Sequence, residues 1–530
     1  MLAGITRNPG KPGHYVTAYL RRSLPVAAFD INCHKFPAKS DVERDSETFI
    51  IDRMKLRALI LLLCMAPAVL AEGLPDLGDL SQVDFSPIVE KRTGEAIMRD
   101  IRLHEPTYIN DPEINGYLNR LGARLVSQSL EARQDFEFFA LRDATLNAFA
   151  MPGGYIGVHT GLIMATRSES ELASVLAHEI SHVTQHHLAR QISTQSQGQL
   201  PMLLALAVAI LASRNHADLA QGALMTGQAA SIQHQLNYSR DFEREADRLG
   251  LQLLERAGFD IRAMADFFER LQKYGRLYEN NAPGYLRTHP LTTERIADME
   301  NRIQPRPYRQ IADSLGYLLV RAKLKAHEGT ATDAVVDFAS QLREHKFSNE
   351  IATRYGYAVA LTRAKNYPSA EQEIAELHKL KANSPMIDAL SADLRKKQND
   401  LPGALKILQA AQTRYPQERG LAYALVDTQL AAGQAKEALR FTVDDLQSYP
   451  SDAHMHELQA RVYSALGKHL QQHRAQAETY ALQGQLLMAI EQLQLAQKSG
   501  DGDYFEQSQV DARLRELKQR HAEELKEKKK

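Results

Sequence analysis

The chain has 530 residues and a formal net charge of −1, from 64 lysines and arginines against 65 aspartates and glutamates. This length predicts two or more domains, and a charge near zero gives no electrostatic attraction to nucleic acid or anionic lipid. Because only two cysteines are present, the sequence excludes a disulfide framework and a four-thiolate zinc site.

A secretory signal peptide is predicted at residues 54–71. It starts at Met54 with a short basic stretch, continues as an apolar run and ends in small residues at Ala71. Because a signal peptide should begin a chain, we interpret residues 1–53 as an over-extended N-terminus; the alternative is a real leader with an uncleaved anchor. Cleavage would remove both cysteines, which suits an oxidising compartment such as the periplasm.

The first elements of the mature chain are predicted as two helices, Ile88–Arg102 and Ile114–Ser127, and an aromatic strand, Phe136–Leu141. Next, Asn147–Val158 has the pattern of strand, Pro-Gly-Gly turn and strand. This predicts a β-hairpin directly before a long helix that runs from Glu169 to about Gln191.

The apolar run Met202–Ala212 is too short for the roughly 20 residues that span a bilayer. It predicts a buried or interfacial helix, and a membrane anchor is the alternative. Two further helices are predicted at Ser239–Arg256 and Ala263–Tyr274, and a loop at Pro283–Pro290.

From about Arg306 the sequence predicts continuous α-helix with an internal repeat. Ala370, Ala404 and Ala438 lie in similar apolar helices at a constant spacing of 34 residues. This period is typical of tetratricopeptide repeats, which stack pairs of helices and present a concave docking surface; an irregular helical bundle is the alternative.

The predicted helix after the hairpin contains the metal-binding motif H-E-x-x-H, as His178-Glu179-Ile180-Ser181-His182. Residues four apart project from one helix face, so both imidazoles can reach one ion. Glu179 is offset from them and is a candidate general base for the attacking water.

Two imidazoles need a third protein ligand, and the best candidate is Glu243 on a later helix. Asp247 shares its helix face and could orient a ligand histidine through the second ring nitrogen. The alternative is an exposed helix laced with charges. We expect His186 and His187 to be surface histidines and Glu245 to be solvated.

Together HEISH, FEREAD and the upstream NAFAMPGGYIGVHTGLI resemble the gluzincin family of HtpX and the CAAX prenyl proteases. The resemblance implies one zinc ion per chain, with His178, His182 and Glu243 as ligands and Glu179 as general base. The membrane-spanning helices of HtpX are missing, which favours a soluble periplasmic branch. Other divalent ions remain possible from the ligand types.

Thr288-His289-Pro290 also recurs in the similar periplasmic proteins. Two roles are open for His289: a fourth zinc ligand that silences the enzyme, or a donor to the transition state. The alternative is a loop histidine bonded to the backbone. The hairpin is equally open, because it could offer substrate an edge strand or be a tight turn without contact to substrate.

The sequence therefore predicts a mainly α-helical protein. An α-helical zincin-type metalloprotease domain with a small β-hairpin or sheet would cover residues 72–305, an α-solenoid of tetratricopeptide repeats 306–500, and a charged tail 501–530. The predicted function is a periplasmic zinc endopeptidase. The resemblance to the periplasmic members of this family implies that it degrades misfolded outer-membrane β-barrel proteins and assists their assembly. The alternative is a mainly non-catalytic chaperone or scaffold. Expected partners are those clients and the outer-membrane assembly machinery, without nucleic acid and without a stable transmembrane segment after signal cleavage.

Overall fold

A computed structural model of the chain describes residues 86–129, 134–193, 240–277, 284–307 and 309–527. The predicted signal peptide, the residues that precede it and the apolar run Met202–Ala212 lie outside the described residues. Within these ranges, no helix combines the length and the apolar character that crossing a membrane requires.

The first two helices both begin with a proline. Helices α1 (Pro87–His104) and α2 (Pro112–Val126) place it in the first turn, where its missing amide costs no hydrogen bond. The side chains of Ser86 and Asp111 cap them by accepting hydrogen bonds from first-turn amides. Both helices lie where the sequence predicts them.

Three short strands form one sheet in the order β1-β3-β2. Strand β3 (Tyr155–His159) pairs in parallel with β1 (Glu137–Leu141) and antiparallel with β2 (Ala148–Met151), which confirms the predicted hairpin. Its turn requires glycine: Gly154 has a φ of 86°, and a Cβ there would lie 2.2 Å from the backbone oxygen of Asp135.

The long helix predicted to reach Gln191 is interrupted. After the short helix α3 (Thr160–Ala165), helix α4 (Glu169–Thr184) stops before His186, whose φ of 50° is left-handed. Because a right-handed helix cannot continue through that conformation, the chain starts a separate helix, α5 (His187–Ser193).

Helix α6 (Arg240–Arg256) packs directly on α4. The contact passes through Gly250, where a Cβ would lie 3.1 Å from the backbone nitrogen of His178. This close approach sets the distance between the two helices that carry the predicted metal ligands.

Helices α7 (Arg262–Leu277), α8 (Gly284–Thr288) and α9 (Thr293–Ile303) complete this part of the chain. The prediction of a plain loop at Pro283–Pro290 was wrong, because α8 lies within it. The amide of Tyr285 donates to the carbonyl of Leu146, so α8 is anchored next to the start of β2.

The repeat region consists of helices that pack mainly against their neighbours in sequence. Its helices are α10 (Leu315–Ala326), α11 (Ala331–Arg343), α12 (Glu350–Arg363), α13 (Tyr367–Lys379), α14 (Pro385–Lys397), α15 (Leu401–Arg414), α16 (Arg419–Ala431), α17 (Ala435–Ser448), α18 (Ala453–Ala465), α19 (His469–Leu482) and α20 (Leu486–Lys498). Ala370, Ala404 and Ala438 occupy the fourth position of α13, α15 and α17, and all three are completely buried. The repeat pattern predicts close helix packing at these small residues, and their complete burial agrees with it.

The C-terminal segment differs from the predicted charged tail. Residues Tyr504–Glu527 form helix α21, and its Val510, Leu514 and Leu517 are buried in a core shared with α19 and α20. The prediction of a charged tail was wrong here, because Val510, Leu514 and Leu517 have the spacing of one buried helix face despite the many charges around them.

A single apolar core continues from the sheet and α4 into the first repeats. Polar contacts follow the same junction. The amide and hydroxyl of Ser314 donate to Glu169 at 3.0 and 2.6 Å, and the hydroxyls of Tyr317 and Thr166 are 2.9 Å apart. The first repeat helix is therefore built into the domain that carries the motif.

Candidate metal centre

Helix α4 presents its motif inside the protein. His178, Glu179 and His182 are each at most 2% exposed, because the helix is buried on all sides by the sheet, α6 and α7. The Nε2 atoms of the two histidines are 3.0 Å apart, as expected for neighbours four residues apart on one helix face.

The carboxylate of Glu243 on α6 joins this histidine pair. Its Oε2 lies 3.6 Å from Nε2 of His178, and its Oε1 lies 3.4 Å from Nε2 of His182. His289, which follows α8, places Nδ1 2.9 Å from Oε1 of Glu243. One candidate ligand atom from each of these four residues lies within 4.8 Å of the other three. The structure thus brings together the three residues that the sequence predicts as ligands and His289, whose role the sequence leaves open.

The donor set fits a divalent metal ion. Two imidazole nitrogens and a carboxylate oxygen are common ligands of zinc, and all of them are buried. Beside them neither oxygen of the Glu179 carboxylate has a hydrogen-bond partner among the described residues. Its Oε1 lies 3.6 Å from Nε2 of His289, too far for a hydrogen bond. Since burying a carboxylate without hydrogen bonds is costly, this arrangement is typical of a group kept for chemistry at a bound ion.

Burial and the neighbouring charges set the protonation of these groups. Burial lowers the pKa of His182 well below its usual value, which leaves the neutral form that binds metal. Burial also acts to lower the pKa of His178, but Asp247 and Glu243 outweigh it and raise that pKa to about 9. The three surrounding histidines outweigh burial at Glu243 and keep its pKa well below normal, whereas burial raises the pKa of Glu179.

Asp247 lies behind His178, as predicted. Its Oδ1 is 3.1 Å from Nδ1 of His178, so that Nε2 of the same ring faces the cluster. A residue that sequence reasoning missed supports it: Arg295 on α9 binds both oxygens of Asp247, at 2.7 and 2.8 Å, and approaches Glu243 at 2.7 Å. Nothing in an arginine on an amphipathic helix signals this role.

Two predictions about the end of the motif helix were wrong. His187 is completely buried, with Nδ1 2.9 Å from Nδ1 of His182, and burial lowers its pKa to about 4. Glu245 is not simply solvated, because its carboxylate contacts both His187 and Arg190. The side chain of His186 is about one-third exposed and lies 3.6 Å from Glu90, away from the four-residue cluster.

Tyr285 is a further residue that the sequence did not indicate. Its ring stacks on His289 with centroids 4.7 Å apart, and its buried hydroxyl has no hydrogen-bond partner among the described residues. The only signal is its place four residues before His289, which becomes informative once α8 is known to be helical.

Strand β2 forms an edge of the sheet beside Glu179. The carbonyl of Asn147 accepts from the amide of His159, so the main-chain groups of Ala148 and Ala150 alternate to the outer side. The amide of Ala150 is close enough to Glu179 to oppose the rise in the pKa of that carboxyl. An extended peptide could pair with these outward groups next to the cluster.

Two family models match the chain. Peptidase family M48 matches residues 112–303, which include the whole cluster, and a tetratricopeptide repeat model matches residues 396–462. The two matches fall on the two regions that the fold distinguishes.

Several relatives extend over nearly the whole described chain. A protein of Vibrio cholerae is 34% identical over 468 residues, which are 86% of this chain and 96% of that protein. Proteins named beta-barrel assembly-enhancing protease are 32% identical in Yersinia pestis and 31% in Escherichia coli. These alignments cover 84% and 85% of this chain and 91% and 92% of the relatives.

Proposed function

The chain belongs to the beta-barrel assembly-enhancing protease family of M48 metallopeptidases, and from this membership we propose that it is a zinc-dependent endopeptidase of the periplasm. It degrades misfolded outer-membrane β-barrel proteins and assists the assembly of others. One observation carries the proposal: the donor atoms of His178, His182 and Glu243 converge beside a buried Glu179 whose carboxylate has no hydrogen-bond partner among the described residues.

His178, His182 and Glu243 would hold the metal. When bound, zinc lowers the pKa of water and polarises the peptide carbonyl. Glu179 takes the proton from the attacking water, because its carboxylate is buried beside the three ligands and has no hydrogen-bond partner among the described residues. Asp247 fixes the orientation of His178, because it lies at the nitrogen that faces away from the cluster.

His289 controls access to this centre. Its Nδ1 is close to Glu243 and its Nε2 lies 3.6 Å from Glu179, between the general base and a ligand. In this position it acts either as a fourth ligand that silences the enzyme or, once displaced by substrate, as a donor to the transition state.

Substrate binds as an added strand on β2. The outward main-chain groups of Ala148 and Ala150 form hydrogen bonds with the backbone of an extended segment, so binding depends little on the side chains of that segment. This mode suits an unfolded client, whose backbone is accessible. The repeat region, from about residue 306, offers a further surface for clients or for the assembly machinery of the outer membrane.

The second candidate function is that of a mainly non-catalytic chaperone or scaffold. The contact of His289 with Glu243 favours it, because a site closed by a fourth donor does not cleave. Residues 54–71 would direct either protein to the periplasm as a cleaved signal peptide, and the domain limit near 305 remains part of this proposal.

Metal analysis and cleavage of an unstructured protein such as casein test the function. The protein is purified from the periplasm of an expressing bacterium, and its N-terminus is sequenced. We expect about one zinc per chain, and a loss of cleavage of roughly 10²- to 10⁴-fold in Glu179→Gln at unchanged zinc content. The exposed Glu95→Gln is the matched control and should cleave normally.

Three results would count against the peptidase. They are wild-type protein without metal, cleavage that survives a chelator, and equal cleavage by Glu179→Gln. A Glu179→Gln protein that still supports assembly of outer-membrane proteins would establish the scaffold function as independent of cleavage.

A further inference from the structure

The imidazole of His182 is held from behind by a second imidazole. Its Nε2 faces His178 at 3.0 Å and Glu243 at 3.4 Å, so Nδ1 is the atom that points away from the cluster. Nδ1 of His187 lies 2.9 Å from that atom, and His187 is completely buried.

His187 is itself fixed on its other side. Its Nε2 lies 3.1 Å from the carboxylate of Glu245, and its ring stacks on Phe242 with centroids 4.6 Å apart and planes 10° from parallel. Arg190 donates to the same carboxylate at 3.0 Å and lies over the ring of Phe242. The imidazole therefore has little freedom to rotate.

We propose that His187 is a positioning residue that sets the orientation and the tautomer of His182 through a chain of contacts ending at Glu245. A neutral imidazole can accept a hydrogen bond at one nitrogen and donate at the other. Nδ1 of His187 accepts from His182, and Nε2 donates to Glu245. His182 is thereby held in the tautomer whose Nε2 lone pair is directed at the metal.

The two ligand histidines are thus supported differently. His178 meets a carboxylate directly, at Asp247, whereas His182 meets one through an intervening imidazole. Such outer partners orient ligand histidines, and their loss typically lowers metal affinity by about 10- to 100-fold. This inference rests on the proposed function in one respect, since it requires His182 to be a ligand.

The substitution His187→Phe distinguishes a role in orienting His182 from a role in packing. His187→Phe keeps an aromatic ring against Phe242 and removes both hydrogen bonds, while His187→Asn retains an acceptor that can reach His182. Glu245→Gln keeps the shape of the last member and removes its charge. His186→Asn is the matched control, since asparagine tolerates the left-handed backbone of that residue.

The measurement is Co²⁺ binding to metal-free full-length protein, followed by visible absorption and by competition with a chelator. We expect about 10- to 100-fold weaker Co²⁺ affinity and an altered spectrum for His187→Phe. A smaller loss is expected for His187→Asn and for Glu245→Gln, and wild-type behaviour for His186→Asn.

Unchanged affinity and spectrum in His187→Phe would overturn the positioning role. If thermal melting shows that this variant does not fold without metal, Glu245→Gln decides in the same way, and unchanged affinity there overturns the role. Wild-type protein that binds no Co²⁺ would instead contradict the metalloprotease itself, so the two failures are distinguishable.

Discussion

The guanidinium of Arg295 and the carboxylate of Asp247 form a buried ion pair with two hydrogen bonds, directly behind His178, a proposed metal ligand. The same guanidinium approaches Glu243 and donates to the carbonyl of Pro290, next to His289. One side chain therefore connects Glu243, Asp247 and the segment that carries His289.

Replacing Arg295 should lower the free energy of unfolding far more than replacing an arginine at the surface. Arg295→Met leaves two buried carboxylates without their cation, which we expect to cost about 3–5 kcal/mol in the free energy of unfolding. Arg302→Met on the same helix removes an exposed pair with Asp298 and should cost less than about 1 kcal/mol. Urea unfolding of the metal-free proteins measures both, and equal losses would contradict the central role of Arg295.

Removing His289 should activate the protease. Because its ring lies within 3.6 Å of Glu179 and His178, His289→Ala opens the space beside the general base. A closing contact worth about 1.4 kcal/mol corresponds to a tenfold rise in casein cleavage. A fall in cleavage at constant metal content would instead assign the transition-state role, and no change in either quantity would remove both roles.

A larger side chain at Gly250 should separate the helices that share the ligands. Gly250→Leu forces atoms against the backbone of Ala177 and His178, so we expect a loss of about 1–3 kcal/mol and a lower metal content. Gly116→Leu is the control, because its nearest neighbour, at 3.4 Å, is the end of the half-exposed Arg120 side chain and not a backbone atom. Denaturant unfolding and metal analysis report the two effects, and normal metal content in Gly250→Leu would contradict the prediction.

Lys323 should stabilise the junction between the motif domain and the repeats in a pH-dependent way. Its ammonium lies 2.5 Å from both Asp111 and Glu113. Burial and the charge of Asp111 raise the pKa of Glu113, and together they outweigh Lys323, which acts to lower it. In Lys323→Met the two carboxylates face each other without a cation, so the pKa of Glu113 rises further.

The sign of the effect follows from that rise. A carboxyl whose pKa is raised in the folded state destabilises the protein while it is ionised, and protonation relieves the strain as the pH falls. The cost of Lys323→Met in the free energy of unfolding should therefore be larger at pH 7.5 than at pH 5. Lys325→Met, which removes a more exposed pair with Asp337, should show nearly the same small cost at both values. A cost for Lys323→Met that does not change with pH would refute this account.

The parts of the site that follow from spacing along one helix were predictable. His178 with His182, and Glu243 with Asp247, are four residues apart, so their shared faces can be read from the sequence. The hairpin before α4 was equally readable, because its Pro-Gly-Gly turn lies between two apolar strands.

The parts that depend on a change of backbone direction were not predictable. In a continuous helix the side chain of His187 would lie elsewhere. The interruption at His186 could not be predicted, because neither glycine nor asparagine, the residues typical of a left-handed backbone, is present there. Arg295 and Tyr285 reach the site through tertiary packing alone, for which a single sequence contains no periodic signal.

The contacts between Glu169 and Ser314 affect whether the motif domain can be produced as a fragment without the repeats. A fragment that stops near residue 305 would keep the hydrogen bond from Tyr117 to the buried carboxylate of Glu169 but lose the two from Ser314. It would also lose the side of the core that Tyr317 fills. Because these contacts join the motif helix to the first repeat helix, we expect point substitutions to separate cleavage from repeat function more cleanly than truncation does.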